Sequence, residues 1–248
     1  MMLKLKIQAF AIHFVASLCI ASVLILVVYR IWYPGAIANI SGITQILLLL
    51  LFIDIGLGPI LTLIIYAPHK KGLKFDLTLI IIAQLVALSY GTYTIFITRP
   101  VYIVFNVDRF DLVYANDFSQ EELKATELSE YSSLPYLGPD IIAATIPSDP
   151  NLAHKITVNA LSGGKDIAQL LERYTTYNSQ KELVLNKIMP LAQLLTLNPS
   201  SQKAQLLTRH YQDDDVGYLA LVRQNKAVAV IVSRDSAEVL EITDLKTF

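Results

Sequence analysis

The chain has 248 residues, of which 54% are hydrophobic and 17% charged, with a formal net charge of −1 and a mean hydropathy of +0.48. That balance argues against an ordinary soluble enzyme. The residues from Val101 onward carry 13 Lys plus Arg against 19 Asp plus Glu, a formal −6, which argues against a nucleic-acid partner and against a surface pressed onto anionic lipid.

The apolar excess precedes Pro100, in three runs at 9–28, 43–66 and 77–97. Each reaches the roughly 20 residues that a helix needs to cross a hydrocarbon core of about 30 Å. Three transmembrane helices are expected at about 9–30, 43–66 and 77–97, making a membrane domain of residues 1–99. The first reads as a retained signal-anchor: its apolar stretch outruns a signal-peptide core, no Ala-x-Ala-like exit follows, and Arg30-Ile31-Trp32-Tyr33 has the character of an interfacial anchor. Lys4 and Lys6 precede that helix and Lys70, Lys71 and Lys74 separate the second from the third, whereas the connection 34–42 is uncharged. The positive-inside rule then puts the N-terminus in the cytoplasm and everything after Arg99 outside. The single cysteine, Cys19, falls in the first run, so no internal disulfide forms.

Residues 100–248 read as an α+β exported domain. "RPVYIVFNVDRFDLVYAND" alternates as a strand does, with Asp108-Arg109 turning into a second strand at 110–115, so a hairpin starts at the membrane surface. Ser119 and Glu122 stand in capping-box spacing, which predicts a helix to about Tyr131. "DIIAATIP" reads as a short strand, and 150–161 as a helix ended by Gly163-Gly164. A second box, Ser179 with Glu182, opens a helix toward Met189, Pro190 restarts it, and a further helix covers 200–211. The last thirty or so residues give three strands joined at Gln224-Asn225 and Arg234-Asp235-Ser236.

The sharpest chemical feature is Asp54, a carboxylate inside the second run. Its burial near the bilayer centre costs on the order of 2.5–3.5 kcal/mol on insertion scales, so it must face protein or water, or be protonated. Counted at about 1.5 Å per residue, it lies level with Ser22 on helix one and with Ser89 and Tyr90 on helix three, which makes those its expected partners; His13 and Gln84 fall nearer the cytoplasm. Asp54 reads either as a polar pin between helices or as a contact for another protein's membrane helix, or a proton site. Gly56, Gly58 and Pro59 loosen helix two and free backbone groups that neighbours must satisfy. Ala83, Ala87 and Gly91 on helix three, and Ser17 with Ala21 on helix one, permit close approach, either within the molecule or by a docked helix.

Other constellations are weak. Intramembrane aspartyl proteolysis needs two carboxylates sharing a proton and the helices hold one. "LSGGKD" departs from a phosphate loop at both ends, the four histidines have no ligand spacing, and the Asp213–Asp215 run reads as a solvated loop. No catalytic constellation, metal site or cofactor is expected.

An ordered set of short motifs carries a resemblance: His13-Phe14 with Ser17-Leu18; Trp32-Tyr33-Pro34; Asp54 with Gly58-Pro59 and Leu61-Thr62; Phe75-Asp76; Gln84 with Ala87-Leu88 and Tyr90-Gly91; and "RPVYIVFNVDRF". Together they resemble the TfpX/TfpZ family of type IV pilin accessory proteins, which includes the FimB fimbrial assembly proteins. The resemblance is concentrated in the first 110 residues. It implies a bacterial inner-membrane protein with a periplasmic C-terminal domain. Its implied role is to assist or modulate assembly of a major type IV pilin, and through the pili twitching motility, without enzymatic activity or a cofactor. The implied partners are the major pilin, the membrane lipid around the helices and, as an alternative to pilin, the pilus assembly platform; a membrane enzyme modifying pilin is the remaining class. On this reading Asp54, Gly56, Gly58, Pro59, Ser22, Gln84, Ala87, Ser89, Tyr90 and Gly91 shape a membrane groove. The hairpin with Arg99, Pro100, Tyr102, Phe105, Asp108, Arg109 and Phe110 then couples it to a head-binding domain.

Overall fold

The computed structural model describes residues 2–248. It divides into two compact units, one of Met1–Ile31 with Gly42–Ile97, the other of Trp32–Ser41 with Thr98–Phe248.

The first unit is three helices long and apolar enough to cross a membrane: Met2–Trp32, Ile43–Ile65 and Leu73–Ile97. The second packs against both of the others. Its inward face, Ile43, Leu47, Leu50, Asp54, Gly58 and Thr62, recurs every three or four residues, as one stripe of a helix must. Facing it are Ser17, Ala21, Leu24 and Val28 on the first helix, and Ile80 and Ile95 on the third. Most remaining apolar side chains point outward, as lipid-facing surface does. A Cβ on Gly91 would stand 2.6 Å from Leu50, so a glycine is needed where helix three passes that leucine of helix two.

Helices one and three begin earlier than their apolar runs, at Met2 and Leu73, because a few charged residues extend the helix past the hydrocarbon. Helix two carries a π segment, Phe52–Leu57, in its middle.

The second unit is built on a mixed eight-stranded sheet. Its strands are β1 (Pro100–Asn106), β2 (Arg109–Tyr114), β3 (Asp140–Ala144), β4 (Tyr174–Thr176), β5 (Met189–Pro190), β6 (Val216–Arg223), β7 (Lys226–Ser233) and β8 (Val239–Thr243). They run in the order β4-β3-β1-β2-β6-β7-β8, with β5 paired to β6. The β1–β2 and β6–β7–β8 steps are antiparallel hairpins, whereas β1–β3 and β2–β6 are parallel, and the β2–β6 pairing joins the two halves of the sheet. One core lies around Tyr102, Phe118, Tyr131 and Tyr174, stacked edge to face. A second gathers Leu191, Leu194, Leu207, Tyr218 and Ile231.

The connector Trp32–Ser41 belongs to this unit, although the sequence reading put it in the membrane domain. Its short helix Ile37–Ser41 buries Ile37, Ala38 and Ile40. Tyr33 donates to the Thr98 carbonyl at 2.8 Å, Asn39 to Asp244 at 2.7 Å, and Tyr114 to the Ser41 hydroxyl at 2.8 Å. Burial pushes the Tyr33 phenol up to about 12, which keeps it a donor.

Local expectations hold unevenly. Ser119 and Glu122 form the reciprocal capping box, but their helix stops at Ala125, where Thr126 turns extended. The helix Pro150–Leu161 ends in a Schellman cap: Gly163 donates to Ala160 and Gly164 to Asn159, with Gly163 at φ +87. Ser179 does not cap the following helix. Its hydroxyl donates back to Thr176 at 2.7 Å, and the helix begins at Lys181 from a 3-10 turn.

Candidate functional site

The centre of the membrane unit is set by what Pro59 lacks. In the π segment the Gly58 N–H reaches five residues back to the Ile53 carbonyl. The same pattern would assign the Asp54 carbonyl to the N–H of residue 59, and proline has none. Gln84 on helix three fills that role: its side-chain amide donates to the Asp54 carbonyl at 2.9 Å and to Oδ1 of the same residue at 3.3 Å. Gly58 makes the approach possible, since a Cβ there would lie 2.0 Å from the Gln84 amide nitrogen. Asp54, Gly58, Pro59 and Gln84 are thus one device in which helix three repairs a helix-two backbone group that no water could reach.

The partner of Asp54 is therefore Gln84, and neither Ser22, Ser89 nor Tyr90. Ser22 donates to Leu18 of its own helix, and Ser89 and Tyr90 are exposed. Asp54 and Gln84 each stand eleven residues from the helix end at their shared connection, Ile65 and Leu73 respectively. Counting from the later start of the apolar run, at Leu77, had placed Gln84 too shallow. Ala87 and Gly91 lie on the same side of helix three as Gln84, partly buried. Gly56 meets only Phe52 of its own turn, at 3.5 Å, so it adds looseness and no interhelical contact.

Above this device lies a cleft of about 430 Å³, walled by Ile12, Ala16 and Ile20 of helix one and Leu77, Ile81 and Leu85 of helix three. Its polar lining comes from His13, Ser17, Asp54, Thr62 and Gln84. His13 Nδ1 and the Thr62 hydroxyl are 2.6 Å apart, tying helix one to helix two. Asp54 is only 6% exposed. Two acceptors remain without hydrogen-bond partners among the described residues here, Oδ2 of Asp54 and Oε1 of Gln84.

The hairpin residues are placed differently. Tyr102, Phe105 and Phe110 are buried within the sheet domain, and Pro100 opens β1. Phe105 and Phe110 face each other at 5.5 Å. Arg99 is buried, donates from Nε and Nη2 to the Pro135 carbonyl at 3.2 and 2.8 Å, and lies over the Tyr136 ring. The turn falls at 107–108, with Val107 at φ +60, one residue before the expected Asp108-Arg109. Asp108 and Arg109 are exposed. Sequence reasoning missed Thr62 as a site residue; its signal was the spacing of four from Gly58 and eight from Asp54 along the buried stripe. Among the described residues no cluster of three His, Cys, Asp or Glu side chains could hold a metal.

The pattern described as fimbrial assembly protein FimB matches residues 2–42. A protein of Dichelobacter nodosus named "Fimbrial assembly protein, serogroup I" is 31% identical over 243 residues, 96% of this chain and 94% of its own length. The chain belongs to the FimB family of fimbrial assembly proteins. A second family member from that organism, for serogroup E1, is 29% identical over the same shares. A third, for serogroups C1 and C2, is 38% identical over 114 residues, 45% of this chain and 87% of its own length. The likeness to FimB relatives thus runs through the sheet domain as well as the first 110 residues. No solved structure matches the chain.

Proposed function

We propose that the chain is a non-enzymatic accessory protein of the bacterial inner membrane, a chaperone or adaptor that holds a major type IV pilin before its assembly into pili. The observation that carries this reading is the membrane cleft. A side-opening cleft between apolar walls suits the membrane helix of a waiting subunit, because a helix can enter it from lipid without crossing a polar barrier. Membership of a family of fimbrial assembly proteins supplies the process.

The N-terminus is cytoplasmic and the sheet domain periplasmic on this reading. Lys4, Lys6, Lys70, Lys71 and Lys74 flank the inner ends of the helices. The uncharged connector Trp32–Ser41 packs in one unit with Thr98–Phe248, as it should if both lie on the same side of the membrane.

Filling the cleft tests the proposal. Ala16 lines it and is exposed, so Ala16→Trp blocks the space without entering the helix interface. Cells carrying that variant should accumulate the protein and the pilin normally yet lose most surface pili by electron microscopy. Normal piliation with a filled cleft would contradict the proposal.

A further inference from the structure

We infer that the loop 132–139 of the sheet domain inserts its tip, Tyr136 and Leu137, into the lipid interface where helices one and three leave the membrane, an inference that needs those helices to cross a bilayer but is independent of what the cleft holds. The loop reads Ser-Ser-Leu-Pro-Tyr-Leu-Gly-Pro and has no charged side chain. Leu137 is 85% exposed and Tyr136 67%. No large apolar side chain among the described residues is more exposed than Leu137, those of the membrane helices included. Transfer of such a side chain from water to lipid is favourable in proportion to its bare area.

Two contacts within the sheet domain identify the surface that the tip meets. Trp32, the last residue of the span Met2–Trp32, donates its indole N–H to the Tyr136 carbonyl at 3.2 Å. That carbonyl belongs to the peptide joining the two exposed side chains. Arg99 follows the span Leu73–Ile97 almost directly, donates from Nη2 to the Pro135 carbonyl at 2.8 Å, and stands 5.4 Å from the centre of the Tyr136 ring. Each tie is one side chain long, so the tip lies at the level where both spans end, the depth that Trp and Tyr favour in a bilayer. A partner protein would have to reach Leu137 within a side chain's length of that level, where lipid is already present.

The main chain suits the same depth. Trp32 and Arg99 occupy the carbonyls of Tyr136 and Pro135, and Pro135 and Pro139 have no N–H, so the tip takes few unpaired backbone groups into lipid. Gly138, buried and at φ +109, turns the chain back where a side chain would be strained. The two prolines fix their own φ, which lowers the ordering cost of insertion. The formal −6 of the residues from Val101 onward argues against attraction to anionic lipid as the driving force. Apolar transfer remains, and it acts equally in a zwitterionic bilayer.

The test uses the full chain with Cys19→Ser, which leaves no other cysteine, and a nitroxide label on Leu137→Cys, reconstituted sparsely in phosphatidylcholine vesicles. Collisions of the label with oxygen, which concentrates in lipid, are compared with collisions with an uncharged, water-soluble nickel chelate. A second sample carries the label on Leu161→Cys, 84% exposed but followed by the polar run Ser162-Gly163-Gly164-Lys165-Asp166, and shows whether the label alone draws an exposed site into lipid. Both side chains project from the fold, so neither substitution opens a core. The oxygen-to-nickel ratio should be several-fold higher at 137 than at 161. A ratio at 137 no higher than at 161 would overturn the inference, and so would low access to both reagents at 137, the mark of a site covered by protein. The assay contains no pilin, so its outcome is separate from that of the cleft.

Discussion

Gln84 donates its side-chain amide to the main-chain carbonyl of Asp54 at 2.9 Å, a hydrogen bond from helix three that replaces one Pro59 cannot make within helix two. From this single substitution of partners follow the requirement for glycine at 58, the setting of the two unmet acceptors, and the shape of the cleft floor.

Gly58→Ala should be costly where Gly56→Ala is mild. The new Cβ at 58 would fall 2.0 Å from the Gln84 amide, whereas at 56 it meets only a Phe52 ring carbon at 3.5 Å. Displacing Gln84 leaves a buried carbonyl unpaired, at about 1–3 kcal/mol. Thermal unfolding of the full chain in detergent should rank the two variants in that order.

Pro59→Ala should make Gln84 less necessary. An N–H restored at residue 59 gives the Asp54 carbonyl a helical donor, so Gln84→Ala should cost less in that background than in the native one. A double-mutant cycle on stability should return a coupling of about 1 kcal/mol. Strict additivity would show that the repaired carbonyl is not what Gln84 contributes.

Thr62→Val keeps the shape of a buried side chain and removes its link to His13, 2.6 Å away. Loss of roughly 1 kcal/mol is expected, the scale of an interhelical hydrogen bond in a membrane. His13→Ala in the same background should add little, since the bond is already gone.

In the sheet domain, burial raises the Asp111 carboxyl above its ordinary 3.8, against the pull of Arg109 and the Asn106 amide. A raised carboxyl contributes stability that is full below the unfolded value and is lost as pH rises through the folded one. Asp111→Asn carries no such loss, so its melting temperature relative to the native chain should climb as pH rises from below the carboxyl's ordinary 3.8 to above it. A flat or falling difference would contradict the assignment.

The three membrane helices, the β1–β2 hairpin and the β6–β7–β8 meander were legible because each rests on a local period, apolar length in one case and alternation in the others. The neighbour of Asp54 was not, since it depends on where helix three starts. Lys74 and Asp76 hid that start at Leu73, and those four residues, with helix two ending at Ile65 and not Tyr66, moved the expected contact from Gln84 to Ser89 and Tyr90. The strands Tyr174–Thr176 and Met189–Pro190 are too short to show alternation and exist only because β3 and β6 offer them partners. The Ser179–Glu182 spacing misled because Thr176 competes for the serine hydroxyl. Asp54, Gly58 and Pro59 drew notice as oddities in an apolar run; that they form one device with Gln84 required the fold.

The central claim is that the cleft holds a pilin's membrane helix. The most direct measurement is in-cell photocrosslinking from Ile12, Ile20 and Ile81, which line the cleft and are exposed, with Phe52, exposed but outside the cleft lining, as control. Adducts with the major pilin from the three cleft positions and not from Phe52, mapped to the pilin's N-terminal apolar helix, are the expected result. Adducts with lipid or an assembly-platform protein alone, from probes that still support piliation, would contradict it.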